Sequence, residues 1–138
     1  MHISSLVAPD YEPAVALWEA VGLTRPWNDA RADLVRAMQG PDSTVLGGYD
    51  SRGELIATAM VGHDGHRGWV YYLAVAPHRQ REGYARQIMQ ACEQWVLERH
   101  IPKIQLMVRT DNQEVIDFYN ALGYEASDVT VLGRRFND

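Results

Sequence analysis

The sequence predicts an α/β (or α+β) fold of three layers: a central mixed, mostly antiparallel sheet with helices on both faces. Three patterns point there. Apolar residues recur at helical spacing in several separate segments. Short runs joined by turn residues, such as Asp50-Ser51-Arg52-Gly53, read as hairpin strands. A strand–helix–strand unit follows the hairpins, which makes the sheet mixed. A chain of 138 residues is sized for one domain, residues 1–138, with a single core. Apolar residues make up 46% and charged residues 22%, a globular rather than a disordered composition.

The elements follow in order. His2 to Leu6 reads as a short first strand. Asp10 to Gly22 carries Tyr11, Val15, Trp18 and Val21 on one helical stripe, with Asp10 as N-cap and Gly22 as stop. Thr24 to Asp29 is a loop. Asn28 or Asp29 then caps a second helix, Ala30 to about Gln39, ended by Gly40-Pro41. Ser43 to Tyr49 and Glu54 to Gly62 are hairpin strands, and His63 to Gly68 is a second turn. The strand Trp69 to Ala76 comes next. From Gly83 to about Arg99, a helix sets Ala85, Ile88, Met89, Cys92, Trp95 and Val96 on one face. Lys103 to Arg109 alternates as a half-buried strand. Asn112 to Leu122 is a helix, begun by Asp111 or Asn112 and ended by Gly123. Tyr124 to Asp128 and Thr130 to Phe136 read as two closing strands.

Composition removes several function classes. Lys plus Arg number 13 against 18 Asp plus Glu, a formal charge of −5. Nucleic-acid binders usually carry a basic stripe, so none is expected. A negative surface tilts instead toward a cationic partner. The single cysteine, Cys92, forms no disulfide framework and sits in a helical apolar pattern, so it reads as core. His63 and Asp64 have no third ligand at metal spacing, so no metal is expected. The start, Met1-His2-Ile3-Ser4-Ser5, lacks the basic and apolar regions of a signal peptide. No stretch approaches the roughly 20 apolar residues of a membrane helix. A cytoplasmic protein is the expectation.

The stretch Leu73 to Ala85 carries the first chemical signal. Pro77 removes a ladder donor and ends the strand. Gln80 to Ala85 is a short polar turn with one glycine, and it runs into a helix start. First-turn amides have no internal partners and lie at the positive end of the helix dipole. A loop that aims further amides at the same point suits a phosphate or pyrophosphate. Gly83 lets the backbone approach such a group closely.

Two motifs resemble the GNAT superfamily of acyl-CoA-dependent N-acyltransferases. Gln80-Arg81-Glu82-Gly83-Tyr84-Ala85 is similar to its Gln/Arg-x-x-Gly-x-Gly/Ala loop. Asn112-x6-Tyr119-x3-Gly123-Tyr124 is similar to its Asn-x6-Tyr-x3-Gly-Phe/Tyr element. Together, with a strand between them, they form a specific signal across nearly the whole chain. Arg25-Pro26-Trp27-Asn28-Asp29, Asp64-Gly65-His66-Arg67-Gly68, Tyr71-Tyr72-Leu73 and Pro102-Lys103-Ile104-Gln105 further resemble the bacterial YpeA-type acetyltransferases.

The resemblance implies acetyl-CoA as co-substrate and a primary amine as acceptor. It implies pyrophosphate binding by backbone amides of the Gln80, Arg81, Glu82, Gly83, Tyr84 and Ala85 loop. It implies that Leu73, Ala74 and Val75 pair with the pantetheine amides like an extra strand. The superfamily's bulge in that strand cannot be read from this sequence. Asn112 would reach the pantetheine arm. Tyr119 would protonate the leaving thiolate, a modest mismatch between a phenol of about 10 and a thiol of about 8.5. The plain alternative for Tyr119 is packing on the sheet.

The base is less legible. Where relatives carry a Glu or His, this chain has Trp69 and Tyr71; where others carry a Glu, it has Met107. Proton loss to water along Tyr71, or through Asp64 or His66, remains, with no dedicated single-residue base. Trp27 and Asp29 lie where the superfamily walls its acceptor site. They serve either an acceptor or, more plainly, core filling and helix capping. The acceptor is open: a small-molecule amine, or a peptide or protein amine. Homodimers are frequent in the superfamily. A second function class keeps the same cleft without chemistry, an acyl-CoA sensor.

Overall fold

A computed structural model describes residues 1–137. They fall into two compact units, the first Met1–Leu106 and the second beginning at Met107. The first holds β1 (His2–Ser5), α1 (Tyr11–Ala20), α2 (Ala30–Gln39), β2 (Ser43–Tyr49), β3 (Leu55–His63), β4 (Gly68–Val75), α3 (Tyr84–Glu98) and β5 (Ile104–Leu106). The second holds α4 (Gln113–Ala121). The sheet runs β1-β2-β3-β4-β5. Its first four strands are antiparallel neighbours, and β5 lies parallel to β4. The predicted mixed, mostly antiparallel sheet is therefore observed.

Strand β3 is buried on both faces, and alternation assigns its side chains. Ile56 joins the cluster of Leu17, Trp18, Leu34 and Val45 under α1 and α2. Ala57, Ala59 and Val61 are fully buried on the opposite side. There α3 packs its buried stripe of Ile88, Met89, Cys92 and Val96. Each such large apolar side chain contributes about 1.5–3 kcal/mol, whereas a side-chain cap gives about 1. The N-cap of α3, Gly83, makes no side-chain cap bond. The stripe, not capping, holds this helix. Gly68 brings β4 close to it: a Cβ there would lie 2.6 Å from Val96 Cγ2. Burial pushes the Cys92 thiol up to about 12, as befits an inert core residue.

Three expectations are corrected. Asp10 does not cap α1 with its side chain; a short 3₁₀ turn, Ala8–Asp10, precedes the helix. The Asp10 carboxylate instead accepts from the Tyr49 hydroxyl at 2.7 Å. The strand expected over Lys103–Arg109 pairs only over Ile104–Leu106, because its ladder to β4 stops at Val70 and Leu106. The closing strands at Tyr124–Asp128 and Thr130–Phe136 do not form among the described residues. Val129, Val131, Leu132 and Phe136 are exposed there. A strand-like pattern supplies no ladder partner, and strand preference is realised only against one.

Candidate functional site

A bulge in β4 organises the first unit. β3 and β4 pair Thr58 with Ala74 and Met60 with Tyr71. Ala59 therefore faces two residues, Tyr72 and Leu73. Tyr72 takes φ +54°, a left-handed conformation that costs a non-glycine residue about 1–2 kcal/mol. Its surroundings hold it there. The Trp18 indole stacks on the Tyr72 ring, centroids 4.0 Å apart. The Tyr72 hydroxyl donates to Asp33 Oδ2 at 2.8 Å and accepts from Asn28 Nδ2 at 3.0 Å. Thr58 Oγ1 donates to the Tyr72 carbonyl at 3.0 Å. Tyr71 and Tyr72 consequently line the same side of the sheet, which a regular strand forbids. The β5 ladder ends at Val70. Beyond it, the edge of β4 through Leu73, Ala74 and Val75 has no strand partner in this unit. Ala74 turns its side chain into the core, leaving backbone at the edge.

The chain then makes a 3₁₀ turn, Pro77–Arg79, and enters the loop before α3. Arg81 (φ +67°) and Gly83 (φ +83°) are both left-handed. A Cβ on Gly83 would meet nothing within 4 Å, so the loop leaves open space there. Arg79 ties the loop together. It donates to Glu82 Oε2 at 3.0 Å, Asp50 Oδ2 at 3.1 Å and the Tyr84 hydroxyl at 2.8 Å. The Glu82 carboxylate, which would repel a phosphate, is thereby paired. Gln80 Nε2 donates to the Val75 carbonyl at 3.4 Å, joining loop to strand. With α3's first-turn amides, the loop can hold an anion.

A cavity of about 770 Å³ opens beside the bulge, lined in part by Asp33, Asp42, His63, Asp64, Trp69, Tyr71 and Tyr72. Asp64 accepts from the backbone amides of Arg67 at 2.8 Å and His66 at 2.9 Å, and from Trp69 Nε1 at 3.2 Å. These bonds hold its carboxyl at about 2. It stays charged and makes a poor base. His63 Nδ1 accepts from the Gly65 amide at 3.0 Å, so the neutral ring carries its proton on Nε2. Nε2 lies 3.5 Å from Asp42 Oδ1. Asp33 is offset by its ion pair with Arg36. Tyr71 is 44% exposed. Burial, and secondarily Asp64, raise its pKa, so its hydroxyl stays neutral.

The structure thus brings Tyr71, Leu73, Ala74 and Val75 together on β4, with Gln80 to Ala85 following as one loop. Trp27 is 46% exposed and lies outside the cavity lining. Asp29 caps α2, accepting from the Ala32 amide at 3.0 Å. His66 is exposed in its turn, and its amide serves Asp64. In the second unit, Asn112 caps α4 through the Val115 amide at 3.3 Å. Tyr119 is buried, its ring edge-on to Phe118 and Tyr124. Sequence reasoning missed Thr58, Tyr72, Asp33 and Asp42. The connections of Thr58 and Tyr72 span 14 to 44 positions, and no local pattern announces them. A pair of adjacent aromatics ahead of a rail-like strand was the sole available hint.

The family model described as "Acetyltransferase (GNAT) family" matches residues 12–124. The chain belongs to the GNAT acetyltransferase family. Solved structures share its fold. This GNAT chain is similar to the aminoglycoside antibiotic 6'-N-acetyltransferase AAC(6')-IG from Acinetobacter haemolyticus. That match has TM-score 0.79 and 16% identity, and covers 100% of each chain. It is also similar to AAC(6')-Iy, solved with the bisubstrate analog CoA-S-monomethyl-acetylneamine, at TM-score 0.82 and 18% identity over 97% of each chain. A third, described as a transcriptional regulator from Bacillus halodurans C-125, matches at TM-score 0.81 and 15% identity. It covers 97% of this chain and 99% of that one. Among the described residues, no group of three or more His, Cys, Asp or Glu could hold a metal ion. Among them, no helix is long and apolar enough to cross a membrane.

Proposed function

We propose that this GNAT acetyltransferase moves an acetyl group from acetyl-CoA to a primary amine of a small cationic molecule. The observation that carries the reading is the Tyr72 bulge, which frees the β4 edge just before the glycine loop. Backbone groups of Leu73, Ala74 and Val75 take the pantetheine arm as an added strand. Amides of the Gln80–Ala85 loop take the pyrophosphate. Asn112 joins the pantetheine contacts by its place in the family motif.

In the transfer, the amine nitrogen attacks the thioester carbonyl, a C–N bond forms and the C–S bond breaks. Tyr119 gives its proton to the leaving thiolate and is restored by a proton from water, while the attacking nitrogen sheds its second proton to water as it becomes the amide. The ammonium must first lose a proton. Asp64 is too acidic to take it, and His63 already accepts from an amide. Tyr71's neutral hydroxyl accepts a hydrogen bond from the ammonium and relays the charge, taking that proton on its oxygen as it gives its own to water. Asp42 and Asp64 draw an ammonium toward the cavity. Trp27 and Asp29 belong to the acceptor side through the loop that carries Asn28. The aminoglycoside acceptors of two structural neighbours support a polycationic substrate.

A second reading, an acyl-CoA sensor, draws on the engagement of two cavity carboxylates, Asp33 with Arg36 and Tyr72 and Asp64 with its own turn. A thiol-release assay separates the two. It uses diamines, aminoglycosides, neutral amines and peptides with acetyl-CoA. Transfer predicts CoA release, with di- and polycationic amines preferred. Stabilisation by acetyl-CoA without release on any acceptor would leave the sensor. Tyr119→Phe should lower turnover by about 100-fold or more, with acetyl-CoA affinity kept. An unchanged rate, with chemistry rate-limiting, removes Tyr119 as the acid.

A further inference from the structure

We propose that Thr58 is a positioning residue: its hydroxyl sets the β4 bulge and so aims the Leu73 amide at the open edge. This role rests on reading Leu73–Val75 as the acyl-CoA rail. Thr58 is fully buried on β3 and is one of two buried polar side chains identified among the described residues. Its hydroxyl has one proton. Trp18 Nε1, 2.8 Å away, can only donate, so it takes an acceptor position on Oγ1. The proton is left for the Tyr72 carbonyl at 3.0 Å. The direction of both bonds follows from chemistry alone.

The consequence lies one atom further along the chain. The bulge takes the Tyr72 carbonyl out of the ladder, since β3 pairs with Tyr71 and Ala74 but not with Tyr72. Thr58 replaces the missing ladder donor. In a trans peptide, C=O and N–H point in opposite directions, and no peptide bond here is cis. Holding the Tyr72 carbonyl toward β3 turns the Leu73 N–H away from it. That is the side where the β5 ladder has ended. The ring contacts of Tyr72 with Trp18, Asn28 and Asp33 fix its side chain. They leave this peptide plane to Thr58. Thr58 therefore acts through Leu73 and touches no substrate itself.

The test is a calorimetric titration of acetyl-CoA, with thermal unfolding in parallel, on wild type and three variants. Thr58→Val keeps the shape but removes donor and acceptor. Thr58→Ser restores both. Trp18→Phe deletes the indole donor but leaves the Thr58 proton on Tyr72. The expected result is a loss of about tenfold or more in acetyl-CoA affinity for Thr58→Val, equivalent to about 1.4 kcal/mol. Thr58→Ser should return to within about threefold of wild type. Trp18→Phe should lower the unfolding temperature yet hold affinity within about threefold. If the valine variant does not fold, Thr58→Cys, a weaker donor, replaces it and must bind more weakly than Thr58→Ser. Equal affinity for the valine (or cysteine) and serine variants would overturn the assignment. So would a Trp18→Phe loss as large as that of the variant lacking the donor, because affinity would then track stability. Failure of wild type to bind acetyl-CoA would overturn the acyl-CoA reading itself, and Thr58's role with it.

Discussion

Gly83 shows what one residue contributes to this cleft. Its φ of +83° is open to glycine and strained for every other side chain, while the space around it is empty. The strain and the space make separable predictions. Gly83→Ala should cost about 1–2 kcal/mol of stability with little loss of acetyl-CoA affinity. Gly83→Glu should add charge repulsion and lower that affinity by about tenfold or more. Equal binding by the Glu variant, measured by calorimetry, would contradict the loop assignment. Asp64 makes a second, pH-linked prediction. Its carboxyl, held near 2, lies below its ordinary 3.8. A depressed folded value means that the charged form contributes stability above about pH 4, lost as pH falls through about 2. Asp64→Asn should therefore be less stable than wild type near neutrality. Denaturant unfolding across pH should show that gap closing between about pH 4 and 2. A gap that widens toward acid would refute the hydrogen-bond account of this turn.

Among the elements, α2 and β2 form over the spans that sequence patterning predicts, Ala30–Gln39 and Ser43–Tyr49. Local information suffices there: Asp29 caps, Gly40-Pro41 stops, and Asp50 to Gly53 turns. The β4 bulge was illegible because its causes are distant. Thr58, Trp18 and Asp33 act on Tyr72 from three other elements, and nothing within Tyr71-Tyr72-Leu73 demands a left-handed residue. The closing strands failed for a related reason, since alternation describes a strand without providing its neighbour. The contact of β4 with α3 supplies a prediction at this scale. A methyl at Gly68 would press on both Val96 γ-carbons, at 2.6 and 2.9 Å. Val96 is β-branched, so it has little rotamer freedom to retreat. Gly68→Ala should cost about 1–3 kcal/mol, read by chemical unfolding. A neutral effect would mean that α3 shifts freely over the sheet.

For the whole molecule, the loop proposed to hold the cofactor has a local sequence pattern, and the cavity proposed for the acceptor has none. A phosphate loop is a local device, a glycine between a strand end and a helix start, so it leaves a sequence signature. Membership in the GNAT family across residues 12–124 agrees with that signature. The cavity proposed to take the acceptor is assembled from α2, β2, β3, the following turn and β4. Its acidic character comes from Asp42 and Asp64, positions that mean little until the fold brings them together. Trp27 and Asp29, the sequence candidates for that wall, lie outside the cavity lining, and Asn28 between them is part of it. The central claim is that the β4 edge and the loop before α3 hold acetyl-CoA as one continuous surface. Backbone amide shifts, followed by NMR as acetyl-CoA is added, test it most directly. The account predicts saturable changes concentrated at Leu73–Val75 and Arg81–Ala85. Saturable changes centred elsewhere, with those amides unmoved, would contradict it.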